Sequence, residues 1–176
     1  MDGPDFYLDY LTVIAEIDRC LEKNLNTPAL ILIFTTIDTV GWLASGEPVP
    51  SNPQRFEAFV NDWMLKNYPL PCTAKELYKA RCGLLHTLIP SSGPYDKTGE
   101  RELIYTWTPI QERDWENKIK LDGKSSVYVA TQVRDIWGSL LRGFGAFYES
   151  LETNPSQKAL FDQRATEHYD YLDELT

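Results

Sequence analysis

The sequence feature that most constrains this chain is an almost unbroken apolar stretch over residues 29–44, ALILIFTTIDTVGWLA. Thr27 as N-cap and Pro28 at the first helical position predict a helix that begins here, and Ser45-Gly46 predicts its end. A helix that is apolar on nearly every side must be enclosed by other elements or by lipid. Asp38 and several threonines interrupt a run that is already short for a membrane span, so we expect a buried core helix.

Three further helices are predicted around this core. The first runs from Asp5 to about Lys23, and the third begins at Asn52 and Pro53. The fourth is capped by Thr73 and ends at or before Ile89, because Pro90 follows. Four helices with short connections predict an antiparallel helical bundle.

The segment after the fourth helix changes character and predicts two strands. Glu102 to Trp107 and Ser126 to Ala130 are rich in β-branched and aromatic residues. The charged piece between them, RDWENKIKLDGK, fits either the connection of a long hairpin or a short helical turn. We therefore expect one mainly α domain over residues 1–176, with a small β-hairpin insertion at about 99–130.

A long helix from about Thr131 to Leu151 follows, and Asn154 and Pro155 begin a last one. Three glycines of the long helix, at positions 138, 143 and 145, each weaken it by about 1 kcal/mol relative to Ala. Their presence predicts close helix contact, either inside the bundle or across a subunit interface.

The composition limits the classes of function. The net charge of −9 repels nucleic acid overall, so a nucleic-acid role would need a local basic pocket. Cys20, Cys72 and Cys82 lack metal-type spacing and are expected to be reduced thiols. The acidic amino terminus has no basic n-region, which predicts a cytoplasmic protein without a secretory signal or membrane contact. With no Walker loop, GxGxxG or HExxH motif, neither a metal nor a cofactor is expected.

The fourth predicted helix, TAKELYKARCGLLHTLIP, contains the residues most suggestive of chemistry. Arg81 lies inside its apolar stripe, only about 40° from Leu77 around the helix axis. An arginine on a core face needs a partner, and Asp38 is the one acid in the most apolar helix. His86 is rotated by about 140° from Arg81, towards the other edge of the stripe.

The string LYKARCGLLHTL, with its Arg-x4-His spacing, resembles the signature of the HEPN superfamily (higher eukaryotes and prokaryotes nucleotide-binding). This resemblance implies a helical bundle that acts as a homodimer, with two motifs facing each other across a cleft. Many members are metal-independent endoribonucleases of defence or toxin-type systems, some of which have a protein antitoxin as partner. Arg81 would then hold the scissile RNA phosphate, and His86 would be the general acid or base.

Other interpretations of the same residues remain open. Active members often carry a polar residue where this chain has Cys82, and some members keep the fold only to bind nucleotides or partners. Arg81 would then be a structural residue paired with Asp38, and His86 would cap carbonyls at the helix end. Tyr78 and Lys79 flank Arg81 and would either contact RNA or only pack and solubilise. The chain is therefore an endoribonuclease, a non-catalytic module of the same fold, or an unrelated bundle with an accidental motif.

Overall fold

The computed structural model describes residues 4–88 and 99–173, and it is mainly helical. Its helices and strands, in chain order, are α1 Pro4–Glu22, α2 Asn26–Ala44, α3 Asn52–Phe59, α4 Ala74–Thr87, β1 Glu102–Thr106, α5 Pro109–Leu121, β2 Tyr128–Gln132, α6 Val133–Ser150 and α7 Pro155–Asp173. A π-helical segment, Val60–Leu65, continues α3, and a 3₁₀ turn, Leu151–Thr153, follows α6. The predicted helices are confirmed to within a few residues at each end.

Helix α2 forms the centre of the bundle, as its composition predicts. It packs against α1, α3, α4, α6 and α7, and Ile33, Phe34 and Ile37 have no solvent exposure. Among the described residues it is the one helix long and apolar enough to cross a membrane, and half of that window is buried inside the protein. The expectation of a buried core helix is thus confirmed by its packing.

The β-hairpin predicted for residues 99–130 is wrong. β1 and β2 pair in parallel, with Glu102 opposite Tyr128 and Thr106 opposite Gln132. Parallel strands cannot be joined by a tight turn, because the chain must return to the same end of the sheet. Helix α5 makes that return, so the insertion is a β-α-β unit.

The β-α-β unit is attached to the bundle through one face of its sheet and through α4. Leu103 and Val129, neighbours in the parallel register, are both buried in the main core. Glu76, only 4% exposed, accepts hydrogen bonds from Arg101 Nε at 2.7 Å and Arg101 Nη2 at 3.1 Å. Burial alone would raise the pKa of Glu76, but the hydrogen bonds from Arg101 and from the Thr73 backbone lower it. This ion pair ties the start of β1 to the first turn of α4.

Only one of the three α6 glycines packs as predicted against another element of the chain. A Cβ added at Gly143 would lie 2.9 Å from the Met64 backbone in the π-helical segment. A Cβ at Gly138 or Gly145 would meet nothing within 4 Å. Close contact inside the subunit is therefore confirmed for Gly143, while for Gly138 and Gly145 the predicted alternative, contact across a subunit interface, stays a prediction.

Candidate functional site

Helix α4 begins and ends as its sequence predicts. Thr73 is the N-cap: its side chain accepts from Glu76 N–H at 3.2 Å, while its own N–H donates to the Glu76 carboxylate at 2.8 Å. The helix ends at Thr87, and Leu88 follows in the left-handed conformation with φ 57°. These ends fix the rotation of the helix and with it the positions of Arg81 and His86.

Arg81 is paired with Asp38, so the pairing expected from sequence is confirmed. Arg81 Nε donates to Asp38 Oδ2 at 2.7 Å, and Arg81 Nη2 lies 2.6 Å from the same oxygen. The two side chains are only 15% and 14% exposed. The contact links α4 to the central helix α2 through charge-assisted hydrogen bonds, which are stronger than neutral ones.

The ionisation of this pair reflects competing effects. Burial lowers the pKa of Arg81, but the hydrogen bond and charge of Asp38 outweigh it and raise that pKa. Burial raises the pKa of Asp38, and the hydrogen bond and charges of Arg81 and Arg55 offset this only in part. The raised pKa of Arg81 favours its charged form, whereas the raised pKa of Asp38 favours a neutral carboxyl. Because a guanidinium keeps its proton and its contacts to Asp38 are short, we assign the ionised form to Asp38 as well.

Sequence reasoning missed Arg55, a second arginine near the Asp38 carboxylate. It lies in α3, its charge acts on Asp38, and its Nε is buried without a hydrogen-bond partner in the described part of the chain. Asp38 Oδ1 is also buried and accepts no hydrogen bond within residues 4–88 and 99–173. Two arginines and one carboxylate leave this cluster with a net positive charge. No sequence spacing connects Arg55 to the motif, because the two meet only through the packing of α2, α3 and α4.

The solvent side of α4 carries basic side chains. Lys75 and His86 are exposed, while Lys79 and Cys82 are half-buried. These four residues follow one another at intervals of four, three and four positions, which places them on one helix face. In a protein with a net charge of −9, this face is a local basic strip that suits an anionic partner.

Cys82 lies at the junction between the Arg81 pair and the basic face. Arg81 Nη1 is 3.9 Å from Cys82 Sγ, and the Arg81 guanidinium lies 5.9 Å from the centre of the Tyr78 ring. Tyr78 in turn packs edge-on against Phe56, and burial together with a hydrogen bond to Cys82 raises its pKa. The guanidinium is therefore fixed on its Nε/Nη2 edge by Asp38, while Nη1 contacts Cys82 Sγ.

Arg81 and His86 are not brought together within one chain. They are separated by about 7.5 Å along the helix axis and by about 140° around it. No hydrogen bond or ion pair between them is found in the described ranges. Joint action of the two side chains would thus need a second copy of the helix.

The described residues contain no group of three or more His, Cys, Asp and Glu side chains placed to hold a metal ion. Comparison with protein-family models, curated protein sequences and solved structures finds no significant match. Kinship with the HEPN superfamily therefore stays a prediction that rests on the residues of α4.

Substitution of Arg81 by Ala is expected to lower the free energy of unfolding by about 1–2 kcal/mol, because it leaves a largely buried carboxylate without its donor. The double variant Asp38→Ala/Arg81→Ala should lose less than the sum of the two single losses. Denaturant unfolding of the four proteins in this cycle measures the coupling energy. The cycle of Asp38 with Arg55 is the control and should give a smaller coupling. Strictly additive losses for Asp38 and Arg81 would contradict a structural pair.

Proposed function

We propose that this protein is a HEPN-like, metal-independent endoribonuclease that acts as a dimer. The observation that carries the proposal is the orientation of Arg81. Asp38 occupies the Nε/Nη2 edge of its guanidinium, and Nη1 lies 3.9 Å from Sγ of Cys82, which is one helix turn from His86. A guanidinium held in this way is preorganised to bind a phosphate oxygen.

The proposed reaction is intramolecular transesterification of RNA. His86 removes the proton from a ribose 2′-hydroxyl, whose oxygen attacks the adjacent phosphorus. Arg81 stabilises the negative charge that develops on the phosphoryl oxygens. The bond from phosphorus to the 5′-oxygen breaks, and the leaving oxygen takes a proton from a second imidazole. The products are a 2′,3′-cyclic phosphate and a 5′-hydroxyl.

The proposal needs two copies of α4 because one copy does not bring Arg81 and His86 together. Two-fold pairing of the basic faces would place two arginines and two histidines in one cleft, and a two-fold interface is the commonest kind in soluble oligomers. Such a cleft would offer RNA the local positive charge that the whole protein lacks. A cytoplasmic defence or toxin-type setting, with an antitoxin as protein partner, belongs to this proposal and rests on the resemblance.

A second candidate function is a non-catalytic module that keeps the fold for binding. Two observations favour it: Cys82 stands where active members often have a polar residue, and Arg81 is already neutralised by Asp38. In that case the basic face of α4 binds an anionic partner without cleaving it. An endoribonuclease requires His86 for cleavage, whereas a binding module does not.

Substitution of His86 by Ala is expected to reduce RNA cleavage at least about 100-fold, since a positioned acid or base contributes a factor of this order. The assay uses end-labelled RNAs of mixed sequence in EDTA, with detection of 2′,3′-cyclic phosphate ends. His168→Ala removes the only other histidine and should keep full activity. A substrate with a 2′-deoxyribose at the cleaved position should resist both proteins.

Equal cleavage by the wild type and His86→Ala, or no cleavage of any RNA, would overturn the enzymatic proposal. RNA binding without cleavage, weakened by Lys79→Glu but not by His86→Ala, would support the binding module instead. Absence of both cleavage and binding would leave the motif as an accident of sequence.

A further inference from the structure

Helix α6 presents an exposed face, at one edge of which the Tyr148 ring packs against Phe161 of α7, with ring centres 6.3 Å apart. Leu141 is 37% exposed and Tyr148 is 42% exposed, although both belong to a helix whose opposite side is buried in the core. At about 100° per residue, Gly138 and Gly145 lie on the same side of the helix, within about 80° of Leu141 and Tyr148. The exposed charged residues Arg134 and Glu149 lie at the two ends of this side. We call these six residues the α6 outer face.

The packing of the chain does not explain the glycines of this face. Each glycine in a helix interior costs about 1 kcal/mol relative to Ala. Gly143, on the buried side, is needed because a Cβ at this position would lie 2.9 Å from the Met64 backbone. The space beside Gly138 and Gly145 is open to at least 4 Å, so either position would accept a side chain in the isolated subunit.

We propose that the α6 outer face binds a second copy of this chain, with the two α6 helices antiparallel about a two-fold axis that crosses between Leu141 and Arg142. Gly138 and Gly145 are equally distant from that point along the sequence, and so are Arg134 and Glu149. The symmetry therefore places Gly138 opposite Gly145 of the partner subunit. It also places Arg134 opposite Glu149 of the partner subunit, and the reverse at the other end.

The charges of Arg134 and Glu149 favour a second copy of this chain as the partner, with the two α6 helices antiparallel. A parallel pair would set Arg134 against its own copy, whereas the antiparallel pair makes two arginine–carboxylate contacts. Arg134 has one described bond, a weak 3.5 Å contact from Nη2 to the Leu21 carbonyl, and Glu149 makes no described ion pair. Both are therefore available to a partner.

Apolar contacts complete the match at the centre of the pair. Leu141 and Arg142 lie on opposite flanks of the α6 outer face, about 100° apart around the helix, so the two-fold axis places Leu141 beside Leu141 of the partner subunit on one flank and Arg142 beside Arg142 of the partner subunit on the other. The Arg142 guanidinium is held 4.8 Å from the centre of the Tyr68 ring, which leaves its stem along the helix surface. Two opposed glycines allow the backbones to approach closely at the same level, and Tyr148 covers the edge of the contact.

This contact is independent of the proposed RNA site, which is on α4. If both faces pair and their two-fold axes cross at right angles, the closed assembly has four chains. Variants of the α6 outer face change the mass of the assembly without touching Arg81 or His86. Their effect on association and the effect of His86→Ala on cleavage therefore test the two proposals separately.

Charge reversal provides the test. In Arg134→Glu, a negative charge faces the negative Glu149 of the partner subunit at both ends of the contact. In Glu149→Arg, two positive charges face each other at both ends. Each single variant should associate roughly 10- to 30-fold more weakly than the wild type in sedimentation experiments at low salt. The double variant Arg134→Glu/Glu149→Arg should recover the wild-type dissociation constant. An equimolar mixture of the two single variants should also recover it, because the mixed pair has opposite charges at both ends.

Arg113→Glu reverses an exposed charge on α5, outside the six residues of this face, and should leave association unchanged. A wild type that stays monomeric at all accessible concentrations would overturn the proposal. So would an assembly whose mass is the same in the wild type and both single variants, since association would then use another face. Weakening by the single variants without recovery in their mixture would also overturn the antiparallel arrangement.

Discussion

Substitution of Arg164 by Ala will lower the free energy of unfolding by about 3–5 kcal/mol, the largest loss we expect from any single change in this chain. Arg164 lies in α7 and is only 3% exposed. Its Nη1 donates to the carbonyls of Trp42 and Ser45 at 2.9 and 2.5 Å, and its Nη2 donates to the Gly46 carbonyl at 3.2 Å. These carbonyls lie in the last turn of α2 and directly after it, where few helical donors remain. Truncation removes the Arg164 donor from the Ser45 and Gly46 carbonyls and opens a cavity beside the most buried helix, while the Trp42 carbonyl still accepts from Ser45.

Two matched variants separate the capping role of Arg164 from its charge. Glu47 accepts from Arg164 Nη2 at 2.5 Å but is 58% exposed, so Glu47→Gln should cost less than about 1 kcal/mol. Arg164→Lys keeps the positive charge and loses the planar fork that reaches several carbonyls, so most of the stability should still be lost. Equilibrium denaturation in urea measures all three.

A loss for Glu47→Gln as large as that for Arg164→Ala would show that the ion pair, and not the cap, holds α7 on α2. Recovery of full stability in Arg164→Lys would contradict the geometric argument as well. The neighbouring contact from Gln157 Nε2 to the Ala44 carbonyl, at 3.2 Å, predicts a smaller loss of about 1 kcal/mol for Gln157→Ala.

The parts of this fold that the sequence predicts are those encoded by local pattern or by a single unusual residue. The core position of α2 follows from its composition, and the Thr73–Glu76 cap follows from a short motif. The Asp38–Arg81 pair was predictable because each is a lone charge on an apolar face, and a buried charge is destabilising unless it is paired with one of opposite sign.

The β-α-β unit was missed although its signal is local. Thr108 accepts from the Gln111 N–H at 3.2 Å, and Gln111 Oε1 accepts from the Trp107 N–H at 3.0 Å. The string Thr-Pro-Ile-Gln is thus a helix start with Pro at the first position, and a helix of 13 residues between two strands predicts a parallel crossover.

Other features of the structure have no local signal. Arg164 caps a helix about 120 positions earlier in the chain, and Arg55 approaches Asp38 only because three helices pack together. The candidate site likewise depends on a contact between elements. The motif identifies Arg81 and His86 from sequence, but the direction of the Arg81 guanidinium depends on the position of Asp38 in α2. Function therefore depends on contacts between elements, which a single sequence does not specify.

The glycines of α6 give the second large effect, because the same substitution should have opposite signs at neighbouring positions. Gly143→Ala is expected to lower the free energy of unfolding by about 2–3 kcal/mol, since its Cβ would lie 2.9 Å from the N and Cα atoms of Met64. Backbone atoms in the π-helical segment cannot move aside as a flexible side chain would. The gain in helix propensity is smaller than this clash.

Gly145→Ala is the matched control, two residues away on the same helix. Its Cβ meets nothing within 4 Å, so the substitution should raise the stability of the isolated subunit by up to about 1 kcal/mol. Both variants are compared by urea denaturation in dilute protein, where the proposed pairing through the α6 outer face would be dissociated. Equal changes in the free energy of unfolding for the two variants would mean that helix propensity alone sets the stability, and that α6 does not contact Met64 closely. A loss at Gly143 with a gain at Gly145 would instead show that one helix uses its glycines for two purposes, close packing inside the subunit and an open face outside it.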